Sequence, residues 1–565
     1  MAVWSTSISI SSFARVHTVG KQNAISTLIR SPVCSSRHRQ QWKPCGSQNT
    51  GENAHEQNYH SVSCRAFKCP THCFSTSSAL NQRGRSFTSH GNTAGTMKQL
   101  LQQNRSRNHA NIHTPLAVHD NLYRNPSRNW FGHARLTPEQ VSEILRKNEF
   151  AQTIKKQDGS YLNFVSNQVA SNNPIEDRRA KAKSHLSDAM LFGVFDGHRG
   201  PACAQSISER LFNYIAAELL PYQDLLQAQR LFDSGELREM VEWYHHPNDY
   251  TSQDRAYTYQ KSLHRYLQDN LSVDSHEGEA DIAEDLITAF ERLDKDLSME
   301  ALTPSSAVMY DEAIHTVFSG ACACIAYIDG SDLYIANAGD CRAVLGSQDA
   351  DGFWFAKPLS IDHNAHNGDE IKRLKGMHPP NESSTIIKNG RLLSELVPLR
   401  AFGDVRYKWA ADTQRNVLNP WYGSDVVPRS YHTPPYLVAT PEVQHHVVKE
   451  TDKFLILATD GLWDCITPQR AVSLVGDHLL LQRAKTSASF EKRHMRLGEV
   501  KQQLVQRRDA LRPIDRINAA THLIRYALGG SQNEFDHDRL AHTLSLPNDV
   551  ARQYRDDITV IVVYF

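Results

Sequence analysis

Acidic residues are nearly missing from the first 119 positions, where Glu52 and Glu56 face thirteen Lys or Arg, among them Arg15, Lys21, Arg30, Arg37 and Arg39. The same stretch has no continuous apolar core, which argues against a secretory signal, and it is rich in Ser, Asn, Gln and His. An Arg-rich, Ser-rich, acid-poor start is the composition of an organelle transit peptide, most simply a mitochondrial one, with the matrix as destination. The competing reading is a disordered basic tail, because such a composition buries too little apolar surface to order itself. On either reading residues 1–100 are a leader.

Other scarcities narrow the field further. No run approaches the ~18 uninterrupted apolar residues of a helical membrane span, so no span is expected. The ten cysteines divide evenly between leader and remainder, and their scatter is no disulfide framework for a chain of 565 residues. A reducing compartment fits. Cys64, Cys69, His72 and Cys73 come nearest to a zinc cluster but lack paired short-spaced cysteines. Lys+Arg and Asp+Glu are both 62, leaving no electrostatic case for a nucleic-acid partner. No cysteine has an arginine six positions later and no complete GxxxxGKS or GxxxxGKT loop occurs, which argues against cysteine-based phosphoryl chemistry and a P-loop NTPase.

Thr137-Pro138-Glu139-Gln140 supplies an N-cap, a first-turn proline and a capping-box partner, and predicts a helix to about Asn148. From Tyr161 onward, short runs rich in Val, Ile, Phe and Tyr alternate with helical patterns, so the chain is mixed α and β. Ile207, Leu211, Phe212, Ile215 and Leu219 predict a helix with one buried face. Gly320–Ile328, the Asp329-Gly330 turn and Leu333–Ala338 predict a hairpin. Further strands are expected at Met190–Phe195, Phe454–Ala458 and Ile558–Phe565. A domain over 137–565 follows, with charged elaborations near 223–279 and 482–513. The second of these reads as a solvated helix face or a docking surface.

Asp-Gly occurs five times, and Asp158, Asp329 and Asp351 take its ordinary reading as a turn. Asp196 and Asp460 differ, because each directly follows an apolar run. Asp340 follows the run ending at Ala338, and Asp556-Asp557 precede the last run. Carboxylates at buried strand ends are costly unless a cation or several donors compensate them. With no Cys or His cluster beside them, the expected cation is hard and oxygen-seeking, Mg²⁺ or Mn²⁺. Gly197 lets its own carbonyl approach such a ligand. Strand-end turns and salt bridges are the plain alternative.

Ile175-Glu176-Asp177, Asp196-Gly197-His198-Arg199-Gly200, Ser319-Gly320-Ala321, Ala338-Gly339-Asp340-Cys341-Arg342, Arg400-Ala401-Phe402-Gly403-Asp404, Asp460-Gly461-Leu462-Trp463-Asp464 and Arg555-Asp556-Asp557 stand in one order. That ordered set resembles the type 2C metal-dependent protein phosphatases, over roughly residues 160 to 565. The resemblance implies an α+β fold, a β-sandwich of two mostly antiparallel sheets flanked by helices on both faces. It implies protein serine/threonine phosphatase activity, with metal-activated water in place of a phosphoenzyme. Asp196 would bridge two ions and the Gly197 carbonyl bind one. Asp460 and Asp556 would complete the second, Glu176 and Asp177 act through waters, and Asp340 help hold a weaker third ion. His198 is the implied general acid.

Within the family, Pro174-Ile175-Glu176-Asp177-Arg178-Arg179, His246-Pro247-Asn248-Asp249-Tyr250 and Tyr431-His432-Thr433-Pro434-Pro435-Tyr436 resemble the mitochondrial pyruvate dehydrogenase phosphatases. The implied substrate is the phosphorylated decarboxylase subunit of pyruvate dehydrogenase. Docking to the lipoyl domain of the acetyltransferase core, with Ca²⁺, and a regulatory subunit come with that resemblance but are not decided by these residues. One departure stands out. Many members carry a phosphate-binding arginine four residues before the Glu of Glu-Asp, and here that position is Asn172, which leaves the phosphate-binding residue unassigned. A catalytically silent docking subunit and a haloacid-dehalogenase-type phosphatase are the competing functions. Retention of Asp196, His198, Asp460 and Asp556 speaks against the first. The second needs an acid where His198 stands.

Overall fold

The computed structural model describes residues 136–565 except 157, 186, 253–254, 273–280, 304–306, 487–495, 499, 502–516 and 531–534. The leader and most of 482–513 therefore lie outside the described residues. The strands are β1 Phe150–Lys155, β2 Tyr161–Val169, β3 Arg178–Ser184, β4 Met190–His198, β5 Val241–Trp243, β6 Gly320–Asp329, β7 Asp332–Ala338 and β8 Arg342–Gln348. They continue with β9 Trp354–Pro358, β10 Ile387–Lys388, β11 Arg391–Leu392, β12 Phe402–Gly403, β13 Glu442–Val447, β14 Asp452–Ala458 and β15 Ile558–Tyr564. The helices of eight residues or more are α1 Pro138–Arg146, α2 Ala202–Glu218, α3 Tyr222–Ser234, α4 Ala256–Leu271, α5 Ile282–Leu302 and α6 Ala307–Phe318. Then come α7 Gly368–Gly376, α8 Ala411–Tyr422, α9 Pro468–Thr486, α10 Ala519–Gly529 and α11 His537–Leu544.

One sheet runs β1-β2-β15-β14-β8-β9, and the other runs β13-β7-β6-β4-β3-β5 with β12 beside β6. β2 pairs with β15 from Val169 opposite Ile558 to Asn163 opposite Tyr564. The two ends of the domain thus share one sheet, as central strands at both ends require. Period-two alternation builds the layers. Phe192, Val194, Cys322, Cys324, Leu455, Leu457 and Ile561 point into a core between the sheets. On the outer side of the second sheet, Leu191, Phe195 and Ile325 meet Ile207 and Leu211 of α2 and Phe290 of α5. On the outer side of the first, Phe454 and Ile456 meet Val472 of α9 and Leu523 of α10. The result is the expected sandwich with helices on both faces. Each fully buried Phe or Leu contributes about 1.5–3 kcal/mol to it.

Local expectations hold at α1, where Thr137 and Gln140 form the reciprocal capping box, and at the β6–β7 hairpin. Three are corrected. Helix α2 is buried almost all round, because α4, α5 and α6 pack against it along with the sheet. β4 does not stop at Phe195 but carries Asp196, Gly197 and His198 within the strand, paired with Cys322, Ala321 and Gly320. The segment near 223–279 supplies more than a charged elaboration: it includes edge strand β5 on β3. It also provides Asp249, which accepts from buried Arg179 at 3.1 Å and Lys181 at 3.3 Å. Burial, with Arg179 beside it, lowers the Lys181 ammonium to about 7. Among the described residues no helix is long and apolar enough to cross a membrane.

Candidate metal centre

The strand ends converge on one group of acids. Asp196 near the end of β4, Asp340 just after β7 and Asp460 just after β14 each offer a carboxylate oxygen within 4.8 Å of the others. Burial raises the Asp196 carboxyl well above its ordinary range, and repulsion from Asp460, Asp177, Asp340 and Asp556 adds to it. Asp460 is raised well above its range by burial and by Asp340 and Asp556. Asp340 is also raised, chiefly by burial, although Cys322 Sγ donates to its Oδ1 at 3.2 Å and opposes the shift. Asp196 Oδ2 is buried and lacks a hydrogen-bond partner.

An orphaned carboxylate oxygen among mutually repelling acids is costly, and a hard divalent cation removes that cost. The donors are all oxygen, so the residues present fit Mg²⁺ or Mn²⁺ better than zinc. Asp556 is not part of the triangle. Its Oδ2 pairs with Arg552, although its charge still reaches Asp196 and Asp460.

The loop before β3 is fastened to this group through Asp557, which is 2% exposed. Asp557 accepts from the backbone N–H of Ser171 at 2.5 Å, of Asn172 at 2.8 Å and of Glu176 at 2.8 Å. Asn172 Nδ2 also donates to it at 3.1 Å. Asp177 accepts from Thr459 Oγ1 at 2.9 Å, and burial, with Asp557 nearby, raises its carboxyl well above the ordinary range. Glu176 accepts from Gly200 N–H at 2.5 Å, and burial outweighs that bond to raise it. The glycines after the two acids have a packing reason as well. A Cβ on Gly197 would lie 2.4 Å from the Glu176 carbonyl oxygen, and one on Gly461 2.0 Å from that of Asp557.

His198 meets a partner that sequence reasoning left without a role. Asp404 is fully buried, and its Oδ2 lies 2.5 Å from His198 Nε2. Burial alone would lower the imidazole, but the Asp404 charge and hydrogen bond together raise it, so the imidazolium is favoured. Asp404 sits at φ 48° and Arg199 at φ 61°, left-handed backbone of the kind that clusters at functional sites. Gly320 makes room for the pair, since a Cβ there would lie 2.2 Å from both Asp404 Oδ2 and His198 Nε2. The motif Arg400 to Asp404 was the available signal. What it could not show was the distance across the chain that it closes.

The description protein phosphatase 2C matches residues 250–497. The chain belongs to the protein phosphatase 2C family of metal-dependent serine/threonine phosphatases. Within it, the chain is 44% identical over 496 residues to mitochondrial pyruvate dehydrogenase (acetyl-transferring) phosphatase 1 of Rattus norvegicus, covering 82% of this chain and 90% of the relative. It is 43% identical over 447 residues to mitochondrial phosphatase 2 of the same name from Homo sapiens, covering 77% and 84%. The mitochondrial phosphatase 1 of that name from Saccharomyces cerevisiae is 27% identical over 486 residues, covering 76% and 73%.

Proposed function

We propose that this phosphatase removes phosphate from serine on the decarboxylase subunit of pyruvate dehydrogenase, in the mitochondrial matrix. The observation that carries the chemistry is the triangle of Asp196, Asp340 and Asp460 with its orphaned Asp196 oxygen. The substrate is supported by the names of the relatives that match most of the chain. The leader's composition supports the compartment.

In this reading Asp196, the Gly197 carbonyl, Asp460 and Asp556 would hold two Mg²⁺ or Mn²⁺ ions, Glu176 and Asp177 would act through waters, and Asp340 would serve a weaker third ion. Such ions, when bound, neutralise phosphoryl oxygens and acidify water. Asp557 holds the Ser171 to Glu176 loop, which keeps Glu176-Asp177 beside the centre. Asp404 keeps His198 protonated, and His198 delivers that proton to the departing serine oxygen from the ring nitrogen that Asp404 does not occupy. The folded domain is taken as 137–565. The test is a substrate comparison: the phosphorylated decarboxylase subunit should be dephosphorylated faster than an unrelated phosphoprotein. Equal rates would remove the substrate claim and leave the phosphatase standing.

A further inference from the structure

With Asn172 bound to Asp557 through both its backbone N–H and its side-chain amide, the position where many family members carry arginine is committed to holding a loop. A neutral amide also cannot give phosphate a charged, forked contact. The arginines near the acids differ in what engages them. Arg199 donates to Tyr407 Oη at 2.6 Å and to Asp404 at 3.4 Å. Arg342 forms a two-pronged pair with Asp362 at 2.9 and 2.7 Å and lies over the Trp463 ring. Arg555 donates to the Ala170 carbonyl at 2.6 Å. Their side chains are turned inward to structure, with Arg199 26% and Arg342 22% exposed.

Arg552 is different. Its side chain is 49% exposed and pairs with Asp556, the acid outside the triangle. Its charge also reaches Asp460, Glu176 and Asp557, the carboxylate that Asn172 binds, so the half-exposed guanidinium stands at the edge of the acidic centre. A guanidinium has five N–H donors in a fixed fork, so a pair with one carboxylate oxygen leaves donors for a second anion. We propose that Arg552 grips the phosphoryl group of the substrate, supplying from the segment before Asp556 the cation that position 172 does not. The ligand class is a phosphate monoester dianion. The inference rests on the reading of the acids as a metal-dependent phosphatase centre.

The experiment compares the full chain with Arg552→Ala and Arg552→Lys in three measurements: inhibition by inorganic phosphate, KM for a phosphoserine peptide, and Mn²⁺ binding by calorimetry. For Arg552→Ala the phosphate inhibition constant and KM should both rise about tenfold, the scale of one charge-assisted contact at a half-exposed site, with Mn²⁺ affinity changing much less than either. Arg552→Lys should fall between, keeping the charge but losing the fork. An unchanged phosphate inhibition constant would overturn the proposal. So would a loss of Mn²⁺ affinity as large as the loss of phosphate affinity, which would assign Arg552 to positioning Asp556. If the unmodified chain showed no Mn²⁺-dependent hydrolysis, the phosphatase reading itself would fail, an outcome visible before any variant is compared.

Discussion

Replacing Glu370 by Gln removes one charge from a buried knot that supports the acid partner of His198. Glu370 is 3% exposed and accepts from Arg400 at 2.9 and 2.7 Å and from Arg373 at 2.9 and 2.5 Å. Arg400 in turn donates to the Thr440 carbonyl and opens the segment that runs through β12 to Asp404. Burial alone would raise the Glu370 carboxyl, but the two arginines together pull it from its ordinary 4.5 to about 2. A carboxyl ionising that much more readily in the folded state contributes roughly 3 kcal/mol, discounted to about 2 kcal/mol for the solvent that reaches Arg373. Its folded value is depressed, so the contribution is complete above about pH 4.5 and disappears as pH falls toward 2. Urea unfolding followed by tryptophan fluorescence should therefore show Glu370→Gln about 2 kcal/mol less stable at pH 7, with the gap narrowing below pH 4. Equal stability at pH 7, or a gap that does not narrow in acid, would refute the reasoning.

Asp404→Asn should lower kcat about 10–100-fold with little change in KM. It should also move the alkaline limb of the pH–rate profile to lower pH, because Asp404 is what raises His198; a limb that stays in place would contradict this. Asp196, Asp460 and Asp177 are raised by burial and by neighbouring carboxylates, so the metal-free fold holds protons that the unfolded chain releases. Its melting temperature should accordingly fall as pH rises from the ordinary carboxylate value of about 4 toward neutrality, and added Mg²⁺ should flatten that slope by displacing protons. A metal-free melting temperature that rises over this window in the unmodified chain, and equally in Asp196→Asn, would remove the acid cluster as its cause.

Much of the frame was legible because periodicity and punctuation are local. The runs at Phe454–Ala458 and Ile558–Phe565 mark β14 and β15, and the Asp329-Gly330 turn marks the hairpin. Cys322 and Cys324, two positions apart on β6, share the core face as alternation requires, but alternation does not disclose the bond from Cys322 to Asp340. Alternation tells which face a side chain takes, but not which distant strand lies opposite. Hence His198 and Asp404, 206 residues apart, could not be joined from sequence, nor could Asp557 be seen to bind Ser171 at a separation of 386. The same limit hid β5, a three-residue strand inside a charged stretch whose polarity masks its pairing with β3. Asp196 was legible as a strand-end acid. That its Oδ2 is orphaned depends on three chain segments meeting.

The central claim is that carboxylates at these strand ends hold the ions on which hydrolysis depends. The direct measurement is phosphoserine-peptide hydrolysis by the purified chain and by Asp196→Asn, each with chelator and with added Mg²⁺ or Mn²⁺. The account predicts turnover by the unmodified chain only with added ion, and none above background by Asp196→Asn under any condition. Hydrolysis in chelator, or an Asp196→Asn protein as active as the original, would contradict it.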